Sequence, residues 1–163
     1  MTTPWWQGGS PNTSQQSYCH VCAVPDATQV FAVGVRAPVL FTDDSSAPTL
    51  MWDNNAAYDV TNSGFTAPRD GYYRLSMTLR LTKSAGGSWT AGAQFNPTIY
   101  KNGATFVWEG GNSPAWAATT SQINVNCSAV VKLVAGDYVQ FSGTASLDNM
   151  TVSSGYLHID ELP

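Results

Sequence analysis

The chain has 163 residues, a length suited to one domain with a substantial core. Its charged fraction is only 11% against 43% apolar and 12% aromatic residues, so solubility rests on Asn, Ser, Thr, Gln and Gly. Net charge is −4 with seven basic residues and no basic run, which excludes nucleic-acid binding by phosphate neutralisation.

Residues 1–28 mix Pro, Gly, Ser, Thr and Gln without a sustained period and read as an extended arm ahead of a domain at 29–163. Within the arm, Trp5 and Trp6 are costly to leave in water and are candidate anchors to a partner, with folding back onto their own domain as the equal alternative. The segment has neither a basic n-region nor an apolar run of signal-peptide length. Synthesis in a cytoplasm without membrane insertion is expected. The run Cys19-His20-Val21-Cys22 has metal or redox spacing. A zinc site needs four ligands, however, and only Cys127 and His158 remain as further sulfur or imidazole donors. A strand or turn with small half-buried side chains is the simpler reading, and no metal or cofactor is expected. Three cysteines imply no disulfide framework.

From Gln29 onward the pattern is of short strands and turns. Val30 to Arg36, Val39 to Thr42, Thr49 to Trp52 and Ala56 to Val60 read as strands, followed by a turn at Pro68 to Gly71. The longest alternation follows that turn. Tyr73, Leu75, Met77, Leu79 and Leu81 share one face, and Tyr72, Arg74, Ser76, Thr78 and Arg80 share the other. Gly92 to Tyr100, a hairpin turn at Asn102-Gly103, and Ala104 to Trp108 come next, with glycine-rich loops on either side. In Gln122 to Leu133 the residues Ile123, Val125, Cys127, Ala129, Val131 and Leu133 share a face, which makes Cys127 a core residue. Tyr138 to Ala145 and Val152 to Leu162 complete the chain. About ten such strands without a helical stripe imply an all-β sandwich or barrel.

Phe65, Gly71, Tyr73 and Leu75, with Tyr58-Asp59 upstream, Leu133 to Val139, and Gly155 to Ile159, follow the order of features of the C1q/tumour-necrosis-factor jelly rolls. The chain resembles that family over roughly residues 29–163. It departs in having Leu75 where an aromatic is usual and in lacking a collagen-like repeat. The resemblance implies a ten-stranded jelly-roll sandwich assembled as a compact homotrimer. It also implies a subunit interface on the outward face of the inner sheet: Tyr72, Arg74, Thr78, Arg80, Asn124, Asn126, Tyr156, His158 and Asp160. A solvated face of a monomer is the alternative.

With the Tyr100 to Gly103 "YKNG" hairpin and the short polar arm, the chain looks like the jelly rolls carried by bacteriophage virion proteins, as minor tail, fibre-head or capsid-decoration components. The arm would then dock onto other virion proteins, with no enzymatic activity. A second reading is a carbohydrate- or receptor-binding adhesin. Trp89, Trp108 and Trp116, in or beside glycine-rich loops, would stack on a host-surface glycan, although tryptophans wedging loops onto the sandwich fit the pattern equally well. Catalysis has weak support, since there are two histidines and no nucleophile elbow. Asp43, Asp44 and Asp53 could hold calcium or simply be solvated.

Overall fold

The structure is a computed structural model that describes residues 20–25, 28–42, 52–53, 55–103, 105–109, 113–114 and 122–163. In chain order the strands are β1 (His20–Pro25), β2 (Val30–Phe31), β3 (Arg36–Pro38), β4 (Phe41–Thr42), β5 (Trp52–Asp53), β6 (Tyr58–Asp59) and β7 (Gly64–Thr66). They continue with β8 (Gly71–Lys83), β9 (Gln94–Lys101), β10 (Thr105–Glu109), β11 (Ser113–Pro114), β12 (Gln122–Leu133), β13 (Tyr138–Ala145) and β14 (Met150–Leu162). Ten strands form two antiparallel five-strand paths, β12-β8-β14-β1-β4 and β10-β9-β13-β7-β6, while β2, β3, β5 and β11 pair beside them. This is the jelly-roll sandwich that the sequence implies.

The alternation of β8 sets the first sheet. It lies between β12 and β14, and its apolar face (Tyr73, Leu75, Met77, Leu79, Leu81) is fully buried. Val125, Cys127, Leu157 and Ile159 join it from the neighbouring strands. Phe65, Phe95, Ile99, Val139 and Phe141 face them from the second sheet. Each such side chain contributes about 1.5–3 kcal/mol on leaving water. Phe31 meets Phe95 edge-on at 4.9 Å, a ring geometry that closes the core between the sheets.

Two segments differ from the sequence reading. Residues 20–25, placed in the arm above, are β1. They pair with β14 on one side and with β4 and β5 on the other, so His20–Pro25 belong to the first sheet. The inward Val21 and Ala23 are fully buried, and these small side chains let β1 lie flat beside β14. The expected strand from Val30 to Arg36 is two strands in different sheets: β2 pairs with β14 and β3 with β13. Gly34 lies between them at φ 72°, in the left-handed region that glycine adopts without strain, and the chain crosses there.

Hydrogen bonds and ion pairs form a latch at one end, and Tyr73, Val134, Ala135, Asp137 and Tyr138 of the C1q/tumour-necrosis-factor pattern take part in it. The Arg69 guanidinium grips the Glu161 carboxylate with two bonds, at 2.7 and 2.6 Å. The Tyr73 hydroxyl donates to Arg69 O, and the Ala135 amide donates to Asp70. Asp137 accepts from the Val134 amide and the Asn102 side chain and pairs with Lys101. Asn102 and Gly103 take the positive φ values of a tight hairpin turn, and Asn102 Oδ1 accepts from the Tyr138 amide. Three loops distant in sequence are thereby tied together.

Candidate functional site

Registers between β12, β8 and β14 place the nine expected interface residues on one surface, the outer face of the first sheet. Asn126, Thr78 and Tyr156 form one row across the strands, and Asn124 stands opposite Arg80. Ser128, Ser76, His158 and Cys22 form another row, while Val130, Arg74 and Asp160 form the next. The Thr78 hydroxyl donates to Asn126 Oδ1 at 2.9 Å, and Tyr156 meets the His158 ring edge-on at 5.3 Å. Tyr72, Val130 and Tyr156 are 55%, 59% and 49% exposed. Exposed aromatics interleaved with arginine and amide groups have the composition of a protein contact surface.

Charge distinguishes this face further. The described ion pairs are Arg69–Glu161, Lys83–Asp148 and Lys101–Asp137, and Arg36 lies over Tyr100. The remaining three of the seven basic residues, Arg74, Arg80 and Lys132, all stand on the outward side of β8 and β12. With Asp160 opposite Arg74, the face is net positive on a chain of net −4, so the other surfaces carry more than the whole negative excess.

The two described cysteines, Cys22 and Cys127, are not poised for chemistry. Cys22 Sγ lies 3.9 Å from His158 Nε2, a thiol–imidazole contact across β1 and β14. Burial, then the nearby Asp160 carboxylate, raise the Cys22 thiol above its ordinary range and keep it protonated. Burial pushes the Cys127 thiol up to about 12, as befits a core residue. Cys19 lies outside the described residues. Among the described residues, no three His, Cys, Asp or Glu side chains converge on a point that could hold a metal. Asp53 accepts from the amides of Asn55, Ala57 and Tyr58, so its carboxylate shapes a turn; Asp43 and Asp44 lie outside the described residues.

The tryptophans fare differently from one another. Trp89 is 4% exposed and belongs to the core cluster, so it offers no face for a sugar; its loop folds inward because Thr90 is held by Asp148 through two bonds. The side chain of Trp108, on β10, and the whole of Trp116, Trp5 and Trp6 lie outside the described residues.

The second sheet carries a site that sequence reading misses. Between β3, β13 and the β9–β10 hairpin is a cavity of about 230 Å³ lined by Arg36, Pro38, Tyr100, Gly103, Gln140 and Ser142, among others. The Arg36 Cζ atom sits 5.1 Å above the centre of the Tyr100 ring. Arg36 and Tyr100 are far apart in sequence, and only the pairing of β13 with both β3 and β9 brings them together. The one signal available in the sequence was their outward phase on alternating strands.

No family model matches the chain, and no curated protein matches it in sequence. Solved structures do match in fold. The globular domain of zebrafish complement 1qA protein aligns with a TM-score of 0.59 at 15% identity, over 89% of this chain and 96% of that one. Murine APRIL, in a crystal structure at pH 8.0, aligns with a TM-score of 0.59 at 12% identity, over 89% of this chain and 99% of that one. A second murine APRIL structure, at pH 8.5, aligns at 0.56 and 10% identity. The fold is therefore the C1q/TNF-type jelly roll, reached with little sequence in common.

Proposed function

We propose that the chain is a non-catalytic structural protein of a bacteriophage particle: a homotrimer whose subunits meet through the outer face of the first sheet and which serves as a minor tail, fibre-head or capsid-decoration component. The observation that carries self-association is that single face. It gathers three exposed apolar or aromatic side chains and three basic ones outside the described ion pairs. The particle context is supported by the low-charge, Asn/Ser/Thr-rich composition and by the YKNG hairpin, which is held rigid by Asn102 and Lys101. Residues 1–19, with Trp5 and Trp6, are the segment proposed to dock onto other virion proteins.

Two experiments test this. Light scattering on the purified chain should return the mass of three copies, and a mass of one copy rejects the trimer. Deleting residues 1–19, which leaves β1 intact, should abolish incorporation into particles while the deleted chain still forms trimers. Normal incorporation would sink the docking role. Glycan binding is the second reading; Trp89 is buried, the side chain of Trp108 and the whole of Trp116 lie outside the described residues, and the described feature that supports it is the cavity of the second sheet.

A further inference from the structure

We propose that the Arg36–Tyr100 cavity is a binding site for an acidic monosaccharide, a pyranose bearing a carboxylate, as in a uronic acid. The inference deepens the glycan-binding reading and supplies it with a site and a ligand class. It is independent of the trimer, because the cavity lies on the sheet opposite the proposed subunit contact.

The cation comes first. Arg36 lies in no described ion pair, and its guanidinium carbon lies 5.1 Å from the centre of the Tyr100 ring, a cation–π contact. With Cζ over the ring, the guanidinium still carries five N–H donors in a planar fork, the geometry that meets a carboxylate with two parallel bonds. A phosphate dianion calls for a second cation, and the described lining contains none. One planar monoanion fits one planar cation.

The remaining lining suits the body of a sugar. Gln140 donates from Nε2 to Asn62 O at 2.9 Å and to the Tyr138 hydroxyl at 3.5 Å. These bonds fix the side-chain amide so that Oε1 is the acceptor available to a sugar hydroxyl. Ser142 supplies a hydroxyl from the cavity floor, and Pro38 an apolar wall for ring C–H groups. Gly103 keeps the rim low, since a side chain there would stand in open space beside the cavity. At about 230 Å³ the cavity falls below the roughly 300–1,000 Å³ of pockets for drug-sized ligands, which suits a single ring.

The test is an NMR titration of the full chain with D-glucuronate, D-glucose, glucose 6-phosphate and acetate, following the Gln140 side-chain amide and the Arg36 Nε–H. Glucuronate should give saturable shifts at both groups, with affinity about tenfold or more above that for glucose or acetate. Arg36→Gln should remove that preference, and Tyr100→Leu should weaken binding with the fold intact by circular dichroism. Absence of saturable shifts with glucuronate, or equal shifts in Arg36→Gln, would overturn the site. A preference for glucose 6-phosphate would overturn the carboxylate assignment, and acetate matching glucuronate would overturn the sugar. Light scattering on the same samples separates these outcomes from any failure to form the trimer.

Discussion

On the first sheet the outward positions of β8, β12 and β14 hold Tyr72, Arg74, Arg80, Asn124, Asn126, Val130 and Tyr156, long side chains standing in the open. On the second sheet the outward positions of β9 and β13 include Thr98 and Ser142, only 2% and 4% exposed. One face is thus broad and studded with residues that gain by meeting another protein. The other is recessed, with small groups at its floor and an arginine held at its edge. In one sandwich, the same inward alternation leaves two outward surfaces free to specialise, one as the proposed subunit contact and the other as the proposed sugar site.

The largest expected effect breaks the sheets themselves and treats them unequally. A Cβ on Gly155 of β14 would fall 2.2 Å from the Thr78 backbone carbonyl, so two central strands of the first sheet would have to separate. Gly155→Ala should cost about 3 kcal/mol or more, read as loss of soluble folded protein or a collapsed melting transition. On the second sheet, a Cβ on Gly143 would meet the Phe95 ring at 2.0 Å, a side chain rather than backbone. Gly143→Ala should therefore cost less, about 1–3 kcal/mol. If the two variants melt alike, backbone approach is not what distinguishes the sheets.

Next comes the contact face. Reversing Arg74 and Arg80 together to Glu should reduce the mass in light scattering from three chains to one, with the circular dichroism spectrum unchanged, because these cations make no described ion pair within the chain. Arg36→Glu, on the other sheet, should leave the mass unchanged. A trimer that survives the double reversal would remove the first sheet from the interface.

How far this contrast could be read in advance depended on strand length. β8, β12 and β13 are long enough for Leu75 to Leu81, Ile123 to Cys127, and Val139 with Phe141 to declare their inward faces, and the rows of the contact face follow from that phase. β1 gives no such signal. Its inward pair is Val21 and Ala23, but in the run HVCAVP their neighbours Cys22 and Val24 are apolar too, so no alternation shows, and pairing with β14 stabilises the strand. β2 and β3 are too short to show which sheet each joins, and Gly34 between them marks a turn without its destination. Trp89 looked like a loop tryptophan because its burial depends on Asp148 and Thr90, whose meeting is a matter of tertiary structure.

Acid should loosen the end latch before either face. Bonding from Lys101, then the Val134 amide and Asn102, holds the Asp137 carboxyl down at about 2, below the ordinary carboxylate value of about 3.9. A depressed folded value means that the contribution is complete above about pH 4 and is lost as the pH falls toward 2, where the unfolded chain takes up the proton first. Asp137→Asn should lower Tm at pH 7 and flatten its fall between pH 4 and 2, so that variant and wild type converge at pH 2. Asp59 and Asp148, also held low, act in the same direction and set the slope that remains in the variant. A variant with the full wild-type slope would show that Asp137 is not part of the acid response.

The smallest effect expected is at Trp89, where two costs oppose each other. Its Nε1–H is buried without a described partner, and an unmet buried donor costs about 1–3 kcal/mol. Trp89→Phe removes that donor but leaves a void where the larger ring packed, a loss of similar size. The net change should stay within about 1 kcal/mol, measured as the midpoint of urea unfolding. Saccharide titrations of the variant should match wild type, because the proposed sugar site is Tyr100 and Arg36 on the second sheet. Should Trp89→Phe abolish sugar binding while leaving stability unchanged, the loop would have to open to expose the indole, and the recessed face would lose its claim to the ligand.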